Sequence, residues 1–148
     1  MVSFQEELFS DWHRDAQELF PEHYNELALN RDVIKLELNV PRYEQAERDG
    51  MLHIATARDE GRIVGYFVSA ILPHLHYASV LCASTDMYYV KPEYRKRCGA
   101  ALFKFVELCW KAKGVVKAYV SCKAHLDKQD FLEELGYTFS DKMFIRLL

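Results

Sequence analysis

The sequence predicts a single α/β domain in which helices cover a mixed β-sheet. Three observations support this: helical spacing of apolar residues near the N-terminus, a hairpin pattern in the middle, and strands that alternate with helices in the C-terminal half. The chain has 148 residues, of which 50% are hydrophobic and 14% aromatic, enough for one core but short for two. We therefore predict one domain spanning residues 1–148, without repeats or linkers.

The N-terminal part is predicted to be helical. Apolar residues recur at helical spacing, namely Phe4, Leu8, Trp12, Ala16, Leu19 and Phe20. One or two helices are therefore expected between Phe4 and about Leu29, with a break at Pro21. The segment "NVPRYEQAERDG" predicts a further short, polar helix that opens near Pro41 and stops at Gly50.

A hairpin follows in "MLHIATARDEGRIVGYFVSAIL". Its strands are expected at Leu52–Arg58 and Ile63–Leu72, joined by "DEG", in which Gly61 can adopt the positive φ of a tight turn. After the loop "PHLHY", a third strand should run from about Ser79 to Val90. Pro92 should end it, because proline cannot donate to a sheet ladder.

The rest of the chain alternates helix and strand. The helix after Pro92 has an apolar face formed by Leu102, Phe105, Val106, Cys109 and Trp110. Gly114 caps this helix, and the β-rich segment Val115–Cys122 predicts a strand. "DKQDFLEELG" predicts a short helix stopped by Gly136, and "YTFSDKMFIRLL" predicts closing strands.

Charge and composition exclude several classes of protein. A net charge of -3 and a pI near 6.1 disfavour nucleic-acid and membrane-surface binding, which need a basic face. The four cysteines and six histidines show no metal-binding spacing, so neither a metal nor disulfides are expected. The N-terminus is acidic and amphipathic and no apolar run reaches membrane-spanning length, which favours a reducing cytoplasm.

A short cationic segment precedes the longest helix. Arg95, Lys96 and Arg97 are followed by Gly99, at the point where a helix N-terminus presents free N–H groups and a partial positive charge. This arrangement suits a pyrophosphate. A turn of solvated cations would have the same sequence, so the residues alone leave both interpretations open.

The same segment resembles motif A of the GCN5-related N-acetyltransferases, through Val90, Pro92, Arg95, Gly99, Ala100 and Ala101. The resemblance extends over most of the chain, since this family also has N-terminal helices, a three-stranded meander, a cofactor helix and an ending similar to "ELGYTF". It implies a mixed, mostly antiparallel sheet whose fourth and fifth strands splay into a cofactor cleft. More narrowly, "HLHY" and "TDMYYVKPEYR" resemble short acetyltransferase-like proteins of bacteriophages, which implies a bacterial or phage-infected cytoplasm.

The resemblance implies acetyl-CoA as the cofactor. It assigns the pantetheine arm to Tyr88, Tyr89 and Val90, with His125 nearby at a position where relatives often have asparagine. It assigns the phosphates to the segment Arg95, Lys96, Arg97, Cys98, Gly99 and Ala100. This segment is one residue shorter and poorer in glycine than the family pattern, so a reduced cofactor affinity is expected.

Transfer to an amine needs a base and an acid for the leaving thiolate. Leu132 stands where many relatives have the tyrosine acid. Asp86 is a candidate base, because strand parity places it on the same face as Ser84, the position where some relatives have a carboxylate base. The alternative is that Asp86 is a structural hydrogen-bond acceptor. His74 and His76 are alternative bases or loop-pinning groups, and Tyr119 is a candidate acid or a core residue.

The function implied is an N-acetyltransferase that moves an acetyl group from acetyl-CoA to an amine by direct attack. The acidic, aromatic segment within Phe20–Arg48 would suit a cationic acceptor, small molecule or protein, and equally an amphipathic helix covering the sheet. The alternative is a weak or inactive relative that binds acyl-CoA or another protein. A homodimer is compatible with either.

Overall fold

A five-stranded mixed sheet forms the centre of the protein, whose computed structural model describes residues 1–148. Its strands are β1 (Val2–Glu6), β2 (Leu52–Asp59), β3 (Arg62–His74), β4 (Tyr77–Val90) and β5 (Lys117–Tyr119). They lie in chain order, antiparallel except for the parallel β4–β5 pair. The predicted mixed sheet is confirmed, as is the pairing of the third predicted strand with the one that follows the long helix.

Helices cover both faces of this sheet. They are α1 (Phe9–Asp15), α2 (Leu19–Leu27), α3 (Val40–Arg48), α4 (Arg95–Ala112) and α5 (Gln129–Glu134). The helices α1 and α2 pack on one face around Trp12 and Tyr66, both fully buried. The apolar side of α4 packs on the other face around Phe67 and Leu102. The molecule therefore has two apolar layers separated by one sheet.

The prediction of a helix from Phe4 is wrong, because residues 2–6 form the edge strand β1. Val2 and Phe4 pack against the α4 layer, and Phe4 stacks on Phe105 at 6.1 Å between ring centroids. Phe4 and Leu8 fit a helical spacing only by coincidence, and Leu8 is exposed. Helix α1 begins at Phe9.

The break predicted at Pro21 lies earlier in the chain. Helix α1 ends at Asp15 and α2 begins at Leu19. Pro21 is the third residue of α2, in the first turn, where its missing N–H has no intrahelical acceptor to lose. Helix α3 is as predicted: Asn39 caps it by accepting from the Arg42 N–H, and Gly50 follows its end with φ of 68°.

The β2–β3 hairpin is as predicted, whereas the β3–β4 hairpin has a shorter turn than predicted. The β2–β3 turn has positive φ at Gly61, as expected, and also at Glu60. The expected loop "PHLHY" is instead mostly strand, since β3 runs to His74 and β4 starts at Tyr77. The sheet absorbs Pro73 at a register irregularity, where a missing ladder donor is tolerated.

The C-terminal prediction is correct for the helix and wrong for the strands. Helix α5 ends before Gly136, which has φ of 94°. Residues 138–148 form no strand, and several of their large apolar side chains are exposed. No helix of the chain combines the length and apolarity that crossing a bilayer requires.

Candidate active site

Strands β4 and β5 separate into a fork. They pair only from Cys82 with Lys117 to Ser84 with Tyr119. The Thr85 hydroxyl donates to the Tyr119 carbonyl at 3.1 Å and closes the fork at this point. Beyond it, β4 continues to Val90 without a partner strand on that side. The predicted cleft between these strands is therefore present in the fold.

A β-bulge lies beside the fork. Met87 pairs with Val68 and Thr85 pairs with Ser69, so that Asp86 is the extra residue of β4. A bulge directs two consecutive side chains to one side of the sheet. Asp86 and Met87 accordingly both turn towards the layer of α1, α2 and α3.

Asp86 is held by a side chain that the sequence analysis did not single out. The Tyr43 hydroxyl of α3 donates a short hydrogen bond to its carboxylate. Burial and the neighbouring carboxylate raise the pKa of Tyr43 far above its usual value, so Tyr43 remains a donor. No local pattern signals this pair, because its members are 43 residues apart.

A second polar cluster lies deeper on the same face. The Nδ1 atom of His23 is 2.7 Å from the Tyr66 hydroxyl, and its ring stacks on Tyr89 at 5.0 Å. The Tyr89 hydroxyl donates to Glu22 at 3.2 Å. Burial lowers the pKa of His23 to about 4, so this imidazole is neutral at pH 7. His23 lies within the segment Phe20–Arg48 that the sequence offered for the acceptor, but it was not itself a predicted site residue.

The predicted cationic turn is part of a helix. A short 3-10 turn at Pro92–Tyr94 takes the place of a glycine-rich loop, and α4 begins directly at Arg95. Arg95 Nε donates to the Val90 carbonyl at 2.9 Å, and its Nη2 forms an ion pair with Glu26 at 2.5 Å. The Arg95 side chain thus ties α4 to α2 and does not move freely in solvent.

The side chains of the next residues of α4 point in different directions. Arg97 lies over the Tyr94 ring at 5.5 Å, and Tyr94 bonds to Asp59 at the end of β2, away from the fork. Cys98 is 1% exposed, so its side chain belongs to the core. Lys96 and Ala100 are exposed, and Lys96 makes no ion pair with the protein.

Gly99 leaves space at the surface of α4. A Cβ built at this position would meet no atom within 4 Å, so a ligand can approach the backbone here. At the N-terminus of this 18-residue helix the Arg95 N–H donates to the Pro92 carbonyl, so the N–H groups of Lys96 and Arg97 are the candidate donors to a ligand. Together with Lys96, these groups fit a phosphate.

The residues assigned to the pantetheine arm alternate across the sheet. Tyr88 stacks on Phe67 at 5.6 Å within the α4 layer, whereas Tyr89 is buried in the opposite layer. The Val90 carbonyl is occupied by Arg95. A ligand in the fork would therefore meet mainly backbone along this stretch. His125 is exposed in a short 3-10 turn after β5.

The histidines of the hairpin tip lie apart from Asp86. Because Pro73 pairs with Leu81, His74 is at least five residues along the strand from Asp86, roughly 16 Å at the usual rise. The His76 N–H donates to His74 Nδ1 at 3.0 Å, which occupies the lone pair of that nitrogen. This bond matches the loop-pinning alternative for His74.

Tyr119 lies between the fork and the hairpin tip. It is half-buried, belongs to neither apolar layer, and its ring is 6.3 Å from that of His74. A shallow cavity of about 340 Å³ lies here, bordered by His74, Ser84 and Tyr119. Leu132, by contrast, is buried in the α4 layer, so no acid stands at that position.

A forked mixed sheet with a helix N-terminus beside the fork defines the class of acyl-CoA-dependent acyltransferase folds. The chain belongs to the acetyltransferase (GNAT) family, whose model matches residues 6–137. The resemblance noted in the sequence is thereby confirmed at the level of the family. Among curated proteins, none matches the sequence.

Solved structures share the fold over nearly the full chain. A transcriptional regulator from Bacillus halodurans C-125 is 19% identical with a TM-score of 0.77, covering 100% of both chains. Glucosamine-6-phosphate N-acetyltransferase from Arabidopsis thaliana is 17% identical with a TM-score of 0.74, covering 99% of this chain and 98% of the other. The enzyme AAC(6')-Iy, in complex with the bisubstrate analog CoA-S-monomethyl-acetylneamine, is 14% identical with a TM-score of 0.67, covering 100% and 98%. At these identities the likeness establishes the fold and not the substrate.

Proposed function

We propose that this protein transfers the acetyl group of acetyl-CoA to an amine by direct attack. The observation that carries the proposal is the position of the Asp86–Tyr43 pair, on the bulge where β4 leaves β5. A carboxylate fixed beside the fork can take a proton from an amine bound on the α1–α3 face. Family membership supports the reaction class.

The cofactor would lie in the fork. Its phosphates would bind the first-turn N–H groups of α4, with Lys96 as the free cation and Gly99 as the point of close approach. Its pantetheine arm would follow the unpaired edge of β4 between Asp86 and Val90, with His125 at the opposite wall. Arg95 would contribute indirectly, because its guanidinium holds the Val90 carbonyl and Glu26 in place.

The chemistry divides between two sides of the fork. Acetyl-CoA supplies a thioester whose C–S bond breaks as the C–N bond to the amine forms. Asp86 receives the proton that the amine loses, and Tyr119 donates one to the departing thiolate. His74 is a weaker candidate for the base, because its Nδ1 already accepts from His76.

The acceptor would be a cationic amine. Glu22 and Glu26 of α2 are paired with Lys91 and Arg95, whereas Asp86 is bonded to the Tyr43 hydroxyl and has no cationic partner. A carboxylate without a cation attracts an ammonium group, which must lose a proton before it attacks. A neutral His23 ring near these groups adds a polar surface for the acceptor.

The test is thiol release from acetyl-CoA with a panel of primary amines, including polyamines, amino sugars and peptide N-termini. Asp86→Asn should lower kcat by about 100-fold or more while acetyl-CoA still binds, since a positioned base contributes about that factor. Asp130→Asn, on the exposed surface of α5, is the matched control and should keep full activity. Turnover that survives Asp86→Asn unchanged would contradict the role assigned to Asp86.

A second candidate function rests on Leu132. Because the usual acid is replaced by a buried apolar side chain, the fold would suit a module that binds acyl-CoA or another protein without turnover. Calorimetry that shows acetyl-CoA binding, combined with no thiol release from any amine, would favour this alternative. The narrower likeness to phage-encoded proteins, the cytoplasmic location and a homodimeric state are further proposals that accompany either function.

A further inference from the structure

A buried histidine with an unused ring nitrogen lies on the sheet face opposite to Asp86. His53 of β2 is 2% exposed, and its Nε2 atom has no hydrogen-bond partner. Glu6 Oε2 is 3.8 Å from this nitrogen, beyond hydrogen-bonding distance. A buried polar atom without a partner costs about 1–3 kcal/mol, so the position calls for an explanation.

Two further metal-ligand groups converge on this nitrogen. The ligand atoms of Glu6, His53 and Cys109 all lie within 4.8 Å of one another. They come from the end of β1, the start of β2 and the last turns of α4. Sequence spacing gives no sign of the cluster, because the three residues become neighbours only when the sheet and α4 pack together.

The hydrogen bonds behind His53 orient its free nitrogen. His53 Nδ1 is 3.3 Å from Ser69 Oγ, and that oxygen accepts from Trp110 Nε1 at 3.0 Å. A hydroxyl oxygen has two lone pairs, so Ser69 can accept from Trp110 and from the Nδ1–H of His53 together. This tautomer leaves a lone pair on Nε2, which is 3.8 Å from Glu6 Oε2. Metal-bound histidines characteristically donate their other ring N–H in this way.

Lys113 currently neutralises the carboxylate of the cluster. Its Nζ atom is 2.8 Å from Glu6 Oε2, and the two side chains are 40% and 46% exposed. An exposed lysine can swing into solvent at little cost. The cluster is therefore reachable from solvent on the Glu6 side while His53 closes it from within.

The cysteine does not have the surroundings of a reactive nucleophile. Cys109 is 8% exposed, and the ligand atoms of Glu6 and Cys109 lie within 4.8 Å of each other. Reactive cysteines instead have electropositive surroundings that favour the thiolate. A divalent cation would supply the missing positive charge and deprotonate a coordinated thiol.

We propose that Glu6, His53 and Cys109 form a zinc site with one carboxylate, one imidazole and one thiolate ligand and a fourth position for water. Zinc prefers this mixture of ligands, and tetrahedral coordination places ligand atoms roughly 3.3–3.6 Å apart. The ligand atoms now lie within 4.8 Å of one another, so binding zinc would bring them closer through side-chain rotation. Bound zinc would join β1, β2 and α4, away from the acetyl-transfer fork.

The first experiment titrates chelator-treated protein with cobalt chloride and then with zinc chloride. Cobalt bound to a thiolate gives a near-ultraviolet charge-transfer absorption that cobalt on surface histidines such as His74 and His76 lacks. The wild type should show this absorption and lose it when zinc is added. Zinc should also raise the melting temperature, by mass action.

Variants assign the ligands. Cys109→Ser should abolish the absorption. Cys98→Ser, which changes another buried cysteine of the same helix, should keep it. Glu6→Gln alters an exposed side chain, so it should fold normally and bind zinc at least about 10-fold more weakly. Ser69→Ala should weaken binding by about 10-fold to 100-fold through the orientation of His53.

One variant should gain affinity. Lys113→Ala removes the cation that competes for Glu6, so it should bind zinc more tightly than the wild type. The proposal is overturned if wild-type protein shows no cobalt–thiolate absorption, if Cys109→Ser retains it, or if Lys113→Ala and Glu6→Gln leave zinc affinity unchanged.

Discussion

The pKa of His23 links a single residue to the pH dependence of folding. The charged and titratable groups that face its ring are Glu26, Arg95, Lys123, Tyr66 and Tyr89. Burial is the largest influence and lowers the pKa to about 4, opposed only by Glu26. Below about pH 6.5 the His23 imidazole therefore binds a proton in the unfolded chain but not in the folded state. Stability should be unaffected above that pH and fall progressively as the pH drops towards 4.

Substitution of His23 tests this sign. The loss should reach about 2 kcal/mol by pH 5, because each pKa unit corresponds to about 1.4 kcal/mol. His23→Gln keeps a polar partner for Tyr66 but cannot take up the proton, so its unfolding free energy should fall less between pH 7 and pH 5. Urea titrations of both proteins at the two pH values measure the difference. An equal decrease in both would show that His23 is not buried neutral.

Some candidate site residues were predicted from the sequence and others were not, for a physical reason. Asp86 and Tyr119 were predicted from strand parity and from the expected positions of β4 and β5, and their catalytic roles stay predictions. Tyr43 and His53 were missed because their importance depends on partners far along the chain. Arg95 was predicted to bind phosphate, and this role stays a prediction; its ion pair with Glu26 could not be predicted, since only the packed structure brings Glu26 to its guanidinium.

Among the elements, those with strong local signals were predicted well. Pro41 and Gly50 bracket α3, and Gly61 turns the β2–β3 hairpin, each through its own backbone preference. Strand β1 has no such signal. Its five residues become a strand only because β2 offers a ladder, and its two apolar side chains then meet α4. Tertiary pairing thus overrides a weak helical pattern.

The first turns of α4 allow a test that separates stability from binding. Gly99 lies in a helix with space around it, so Gly99→Ala should raise the stability of the ligand-free protein by about 1 kcal/mol through helix propensity. If acetyl-CoA approaches the backbone here, the new methyl group should occupy part of its site. The variant should then show a higher Tm alone and a smaller rise in Tm with acetyl-CoA.

A control on the same helix completes this test. Lys104 is exposed two turns from the fork, so Lys104→Ala should leave the rise in Tm with acetyl-CoA unchanged. A Gly99→Ala protein that gains stability and keeps the full rise would place the ligand elsewhere. Thermal unfolding of the three proteins at several acetyl-CoA concentrations measures both quantities.

At the scale of the whole molecule, the sheet ends at a strand whose outer edge has no partner strand. Strand β5 is the last in the sheet and has three residues. Beside it lies a cavity of about 280 Å³ lined in part by Val116, Leu135 and Tyr137. Segment 138–148 carries large exposed apolar side chains, and the sequence predicted strands there. An open edge and an exposed apolar segment both favour pairing with another chain.

We therefore expect a homodimer in which segment 138–148 of each copy pairs with the β5 edge of the other. Met143, Phe144 and Ile145 are 88%, 87% and 67% exposed, so their burial would supply much of the driving force. Light scattering should give twice the 17.3 kDa of one chain for the wild type. The double variant Phe144→Asp, Ile145→Asp should be a monomer, because strand pairing would bury its charges on both faces. Leu75→Asp with Leu108→Asp, which changes two exposed leucines elsewhere, should remain a dimer. A wild type that is monomeric at every concentration, or a dimer that survives the tail substitutions, would contradict this pairing.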